Sequence, residues 1–150
     1  MIDLSVDTRN LSSSSKKKDL KQALSEMIDL VEFELEVNVE FLSGYGSYWV
    51  PTPEDEIEEL DLFGIIEIGD ELSEFHKIVH LTHETGHALY GRDDLFKNVK
   101  DTMFYESTAW YLGYHFMASH GFIINMEEYQ AELEHALRLY RWSENVRDVE

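Results

Sequence analysis

Two histidines four positions apart, with a glutamate directly after the first, are the residues of this sequence best suited to chemistry. They lie in the run His83-Glu84-Thr85-Gly86-His87, which has the pattern HExxH. On a helix, residues at this spacing project from one face, so both imidazoles can reach the same metal ion. Glu84 is displaced around the helix and can take a proton from a zinc-activated water without becoming a ligand. The pattern predicts a zinc site with its own general base, and hydrolysis of an amide bond.

A pattern this short also arises by chance, so the helix around it decides how much weight it carries. The residues from 70 to 82 include no proline or glycine, and apolar side chains recur there at helical spacing. Ser73 is suited to cap the start of the helix, and Gly91 follows Tyr90, where a glycine commonly ends one. These signals predict a helix of about 18 residues with the motif in its interior.

The candidate for a third zinc ligand is Glu106, which lies 19 residues beyond the second histidine of the motif. It belongs to a second predicted helix with Asp101 as its N-cap. Glu106, Ala109 and Gly113 share one helix face. The two small residues would let this helix approach the first one closely, against Gly86, as a carboxylate ligand requires. The alternative is a solvated glutamate on an aromatic helix.

Several other side chains could hold a ligand in place or stabilise a developing oxyanion. The sequence does not choose among these candidates, which are His80, Tyr105, Tyr111, Tyr114 and His115. His80 shares the helix face of the two motif histidines, and could also substitute for a ligand. A structural or solvated role is the commoner explanation for most histidines outside the motif, namely His76, His80, His115, His120 and His135. Asp93 and Asp94 could orient an imidazole, but a charged loop explains them equally simply.

The run 80–91, His-Leu-Thr-His-Glu-Thr-Gly-His-Ala-Leu-Tyr-Gly, resembles the TxAHELGHALLG helix of the ImmA/IrrE-like metallopeptidases. These proteins belong to the gluzincin class of zincins. In that family a downstream helix carries a glutamate ligand, often with an alanine three residues on, and Glu106 and Ala109 fit this arrangement. The resemblance covers roughly residues 60–118. It implies that His83, His87 and Glu106 bind zinc and that Glu84 is the catalytic base.

The same resemblance implies a small sheet upstream of the motif, with an edge strand that holds an extended substrate. Residues 64–68 are the candidate for that strand. Members of the family act on regulatory proteins, often in phage and mobile-element biology. The expectation for this chain is therefore a zinc metallopeptidase that hydrolyses a peptide bond in a protein or peptide substrate.

Composition limits the remaining interpretations. The chain has 150 residues, 43% of them hydrophobic and 13% aromatic, which predicts one folded, zincin-like domain over residues 1–150. There are no cysteines, so disulfides and thiolate metal sites are excluded. The sequence starts with a polar, acidic segment that does not resemble a signal peptide, and no membrane span is evident. These features predict a cytoplasmic protein.

The formal net charge of −19 bears on possible partners. It disfavours direct binding to nucleic-acid phosphates and anionic membranes, and it favours a basic partner. A dense acidic group spans residues 54–74 and could imitate the phosphates of DNA, although a solvated acidic face is the commoner explanation. The alternative function is therefore a non-catalytic DNA mimic, or an inhibitor of a nucleic-acid-binding protein, with a structural or vestigial metal site. Glu84 favours the peptidase, because a structural site needs no general base.

The pattern along the whole chain predicts an α+β fold. Helical periodicity covers about 18–34, and alternating or apolar runs predict three strands at 37–41, 47–50 and 64–68. The two site helices follow, joined by a loop at 91–100, and Gly121 ends the second one. A final helix begins with a capping box of Asn125 and Glu128 and runs to about 145.

Overall fold

The structure is a computed structural model that describes residues 7–90 and 99–149, with side chains over 7–90 and 104–139. Its helices are α1 (Lys17–Leu35), α2 (Ile57–Leu60), α3 (Glu74–Tyr90), α4 (Val99–Ser119) and α5 (Met126–Val149), with a 3-10 turn at Glu54–Glu56. Its strands are β1 (Arg9–Leu11), β2 (Val37–Leu42), β3 (Tyr48–Pro51), β4 (Gly64–Gly69) and β5 (Phe122–Ile124). The predicted α+β class is confirmed. Gly91, Asp93 and Asp94 lie outside the described residues.

The three predicted strands form one sheet in the order β2-β4-β3, with β4 parallel to β2 and antiparallel to β3. The expectation that 64–68 forms an edge strand is therefore wrong. Ile66 and Ile68 are buried, and a strand this apolar is paired on both sides. The edge beside α3 is β3, where Tyr48 and Val50 remain exposed. A second sheet pairs β1 with β5, and strands of three residues are too short to show a sequence alternation.

The helices largely follow their predicted bounds. The apolar stripe of α1 is buried against α3 through Leu20, Ala23, Leu24, Met27 and Val31. α4 begins at Val99, so the expectation that Asp101 caps it is wrong. Asp101 lies inside the helix instead. Across the described residues, no helix combines the length and the apolar character that crossing a membrane requires.

Two helix caps agree with the sequence. The backbone N–H of His76 donates to Oγ of Ser73 at 3.2 Å at the start of α3. The backbone N–H of Glu128 donates to Oδ1 of Asn125 at 3.0 Å at the start of α5. In the predicted capping box, Glu128 would also accept the backbone N–H of Asn125. Among the described contacts it does not, because its carboxylate accepts the N–H of Ser13 instead. α5 is thus tied at its start to the segment that follows β1.

The Asn125 cap leads to a stability prediction. Asn125→Ala removes the acceptor for an N–H at the first turn of α5, so we expect the free energy of unfolding to fall by about 1 kcal/mol. Urea denaturation of the variant measures this loss. Gln130→Ala, at an exposed position on the same helix, is the matched control and should leave the free energy nearly unchanged. Equal stability of the two variants would show that the cap contributes nothing.

Candidate metal centre

α3 and α4 pack backbone against backbone, as their small residues predicted. A Cβ atom on Gly86 would overlap the carbonyl oxygen of Ala109. A Cβ atom on Gly113 would overlap the carbonyl oxygen of Thr82. Only glycine at these two positions permits the observed separation of the helices. This close packing brings a side chain as short as that of Glu106 to the histidines of α3.

Three side-chain atoms from the two helices converge on one point. Nε2 of His83 and Nε2 of His87 lie 2.8 Å apart. Oε2 of Glu106 lies 2.9 Å from the first nitrogen and 3.0 Å from the second. Two imidazole nitrogens and one carboxylate oxygen are the donor set of many catalytic zinc sites. The residues present therefore suit a metal ion that takes nitrogen and oxygen ligands.

Glu84 lies beside this convergence point, on a different side of His83. His83, Glu84 and His87 each place one possible ligand atom within 4.8 Å of the others, so this group could hold a metal ion. The nearest approach of Glu84, however, is from Oε1 to Nδ1 of His83 at 3.4 Å. The Nε2 atoms of both histidines face Glu106 instead. The distances favour Glu106 as the third ligand and leave Glu84 free for another role.

The pKa values of the two glutamates are shifted in opposite directions. Glu84 is 5% exposed, and this burial raises the pKa of its carboxyl group, against the lowering influence of His83 and His87. Burial also opposes ionisation of Glu106. There the hydrogen bonds with His83 and His87 outweigh it and lower the pKa to about 2. Glu106 is thus held as a carboxylate, as a ligand must be, whereas Glu84 binds a proton more readily than a solvated glutamate.

Aromatic rings enclose the histidines. The ring of Trp110 stacks on His83 with centroids 4.4 Å apart and planes 19° apart. The ring of Tyr105 lies 4.8 Å from that of His87. The hydroxyl of Tyr129, on α5, donates to the backbone carbonyl of Trp110 and anchors that part of α4. Sequence reasoning overlooked Trp110, although its position four residues after Glu106 puts both on one helix face.

His80 is the candidate that the structure brings next to the centre. Its ring borders the same cavity as His83 and Glu84. Nδ1 of His80 lies 2.7 Å from Oγ of Ser47, in the loop before β3. Burial, followed by the nearby charges of His83 and His76, lowers the pKa of His80 to about 4. His80 is therefore a neutral imidazole at neutral pH, and its partner Ser47 carried no signal in the sequence.

The other oxyanion candidates do not line this cavity. Tyr105 packs on the ring of His87, as described above. Tyr111 and His115 are exposed, and Tyr114 packs against the ring of Tyr129. At about 100° per residue, His115 lies on the side of α4 opposite Glu106, so helix geometry alone accounts for its placement.

The cavity beside the centre has a volume of about 400 Å³ and reaches from α3 to α5. It is lined by Ser47, His80, His83, Glu84, Trp110, Glu132, His135, Ala136 and Leu139. His135 is exposed, as expected, but it borders the cavity. His76 reaches the carboxylate of Glu132, and His120 packs on Phe116, so both have structural contacts.

No protein-family model, curated protein or solved structure matches this chain. The fold and the site together define a small α+β protein with a histidine–glutamate group that could hold a metal ion. The function has to be inferred from the geometry and chemistry of that group.

Proposed function

We propose that this protein is a zinc metallopeptidase in which His83, His87 and Glu106 bind Zn²⁺ and Glu84 is the general base. The observation that carries the proposal is the convergence of two Nε2 atoms and one carboxylate oxygen within 3.0 Å of each other. A buried glutamate adjoining such a set is what amide hydrolysis needs and what a structural metal site lacks. The resemblance of the motif helix to the ImmA/IrrE-like metallopeptidases supports the same conclusion.

A zinc ion bound at this centre would supply Lewis acidity, activating water and polarising the carbonyl of a peptide bond. Glu84 accepts the proton of the attacking water on its carboxylate and returns it to the leaving amine. Its raised pKa makes Glu84 a stronger base than a solvated carboxylate. Trp110 and Tyr105 cover the rings of the ligand histidines and keep bulk water away from them.

His80 supplies a hydrogen-bond donor for the oxygen of the scissile carbonyl. Oγ of Ser47 accepts the N–H of Gly69 at 3.4 Å, and in the proposed arrangement its hydroxyl donates to Nδ1 of His80. An imidazole that accepts at Nδ1 carries its proton on Nε2. His80 lines the cavity, where an added donor stabilises the negative charge that develops in acyl transfer. Ser47 thereby sets the tautomer of His80.

Metal analysis tests the proposed centre. We expect protein purified without added metal or a polyhistidine tag to contain one zinc per chain, because the donor set is complete. His87→Ala should abolish binding. Glu106→Ala should weaken it by more than the roughly 10- to 100-fold typical of residues that only support a ligand. His120→Ala and Glu134→Ala, which change the same residue types outside the centre, should retain the zinc. Wild-type protein that holds no zinc after zinc addition and dialysis would overturn the proposal.

One observation favours the alternative of an acidic interaction protein. The acidic side chains around α2 are all exposed, namely Glu54, Asp55, Glu56, Glu58, Glu59 and Asp61. Under this alternative, the protein inhibits a nucleic-acid-binding protein stoichiometrically, and the inhibition survives Glu84→Gln. Under the peptidase proposal, Glu84→Gln removes the activity while the protein remains folded.

A further inference from the structure

We propose that the cavity beside Glu84 receives a lysine or arginine side chain of the substrate, and that Glu132 selects it. This inference rests on the proposed peptidase function and names the substrate class that the site would cut. Glu132 belongs to α5, a helix that contributes no residue to the metal centre.

The position of the cavity determines which substrate residue would enter it. Glu84 and His83 line it from α3, and Glu132 lines it from α5. A peptide bond held where Glu84 can direct water onto it therefore places a neighbouring side chain in the cavity. The volume of about 400 Å³ lies at the lower end of the range of ligand sites, roughly 300–1,000 Å³, and suits one long side chain.

The walls of the cavity suit a basic residue with a long aliphatic stem. Trp110, Ala136 and Leu139 form its apolar surface. Lysine and arginine bury their methylene groups along such surfaces while the charged end stays near polar groups or water. A large apolar side chain fits the same walls but gains nothing from the carboxylate of Glu132. Glu132 is therefore the feature that separates basic from apolar side chains.

A chain of hydrogen bonds positions the carboxylate of Glu132. Nδ1 of His76 lies 2.7 Å from Oγ of Ser73, and this hydroxyl also accepts the backbone N–H of His76. A carboxylate oxygen only accepts, so Nε2 of His76 donates to Oε1 of Glu132 at 3.0 Å. A carboxylate has further acceptor positions, which can receive an ammonium or guanidinium group.

The charges around the cavity also favour a basic side chain. Among the described residues, no lysine or arginine lines the cavity, while Glu132 contributes a carboxylate. His80 is neutral at neutral pH and adds no positive charge. The net charge of −19 attracts basic peptides over a longer range and raises their local concentration. A basic side chain is thus favoured both during approach and inside the cavity.

The test uses the zinc-loaded full-length protein and peptides that differ at one position next to the cleaved bond. A mixture of peptides first locates the cleavage site, and lysine, arginine, glutamine, norleucine and glutamate are then compared there. We expect kcat/KM for lysine or arginine to exceed that for glutamate by about 10- to 100-fold, as a hydrogen bond to a charged group allows. Glu132→Gln should remove most of this preference, and Glu132→Lys should reverse it.

Glu134→Gln is the matched control, because Glu134 is exposed on the same helix and does not line the cavity. It should keep the preference of the wild type. Binding of the same peptides to zinc-loaded Glu84→Gln, measured by calorimetry, gives a readout without turnover. There the basic peptides should bind more tightly, and adding Glu132→Gln should abolish the difference.

The two readouts separate the inference from the function on which it rests. Cleavage without a basic preference, or a preference that Glu132→Gln leaves intact, would overturn the inference and leave the peptidase function standing. Binding of basic peptides that depends on Glu132, without cleavage of any peptide by the wild type, would overturn the peptidase function and support the subsite. Neither cleavage nor selective binding would overturn both.

Discussion

Replacing Glu84 by glutamine is expected to lower the rate of peptide hydrolysis by about 10²- to 10⁴-fold, the usual contribution of a general base. The amide keeps the size and shape of the side chain but cannot accept the proton of the attacking water. Zinc content should stay at the wild-type level, because Glu84 faces Nδ1 of His83 and does not contact the convergence point. Steady-state kinetics and metal analysis on the same preparation measure both effects.

The same substitution is expected to stabilise the metal-free protein at neutral pH. Burial raises the pKa of Glu84 in the folded state, so the folded protein binds more protons than the unfolded one above pH 4.5. Its stability therefore falls as pH rises from about 4.5 through the raised pKa. Glutamine is never ionised and avoids this loss. Urea denaturation of the metal-free proteins should show the variant more stable than the wild type at pH 7.5 and nearly equal to it at pH 4.

Glu106→Gln is the matched control, and its stability effect should have the opposite sign. The pKa of Glu106 is lowered to about 2, so its ionised form stabilises the fold above pH 4.5, and this contribution is lost as pH falls through 2. Glutamine at this position should therefore destabilise the metal-free protein at neutral pH. Stability shifts of the same sign in both variants would contradict the assignment of one buried base and one ligand.

Gly113→Ala is expected to separate α3 from α4 and to remove the metal centre. The added Cβ atom overlaps the carbonyl oxygen of Thr82, a backbone atom that no rotamer change can move away. Overpacking of this kind typically costs about 1–3 kcal/mol, and the rigid contact puts this case near 3 kcal/mol. Alanine favours a helix over glycine by only about 1 kcal/mol, so the net effect is destabilising. The melting temperature should fall by several degrees.

Loss of zinc should accompany the loss of stability, because Glu106 lies on the helix that is pushed away. Gly86→Ala should behave in the same way, since its Cβ overlaps the carbonyl oxygen of Ala109. Leu112→Ala, at an exposed position next to Gly113, is the control and should keep both the zinc and nearly all of the stability. Zinc retained at wild-type affinity in either glycine variant would show that the ligands do not depend on this close packing.

Sequence patterns predicted the parts of the molecule that depend on short-range geometry. The local geometry of one helix accounts for the bounds of α3, for its Ser73 cap and for the shared face of His83 and His87. The small residues at 109 and 113 predicted the close approach to Gly86 correctly. Most of these features depend on residues a few positions apart in the chain. The close helix contact depends on small side chains, which can be recognised in the sequence.

Tertiary structure decided the features that depend on distant segments. Pairing on both sides placed β4 inside the sheet, and packing brought Ser47 to His80 across 33 positions of chain. The same packing carried Glu132 on α5 to the cavity beside Glu84. Periodicity shows which face of an element is buried, but not which other element covers it. The motif and the convergence of His83, His87 and Glu106 could therefore be predicted from the chain. The contact of His80 with Ser47 and the position of Glu132 at the cavity became visible only in the folded molecule.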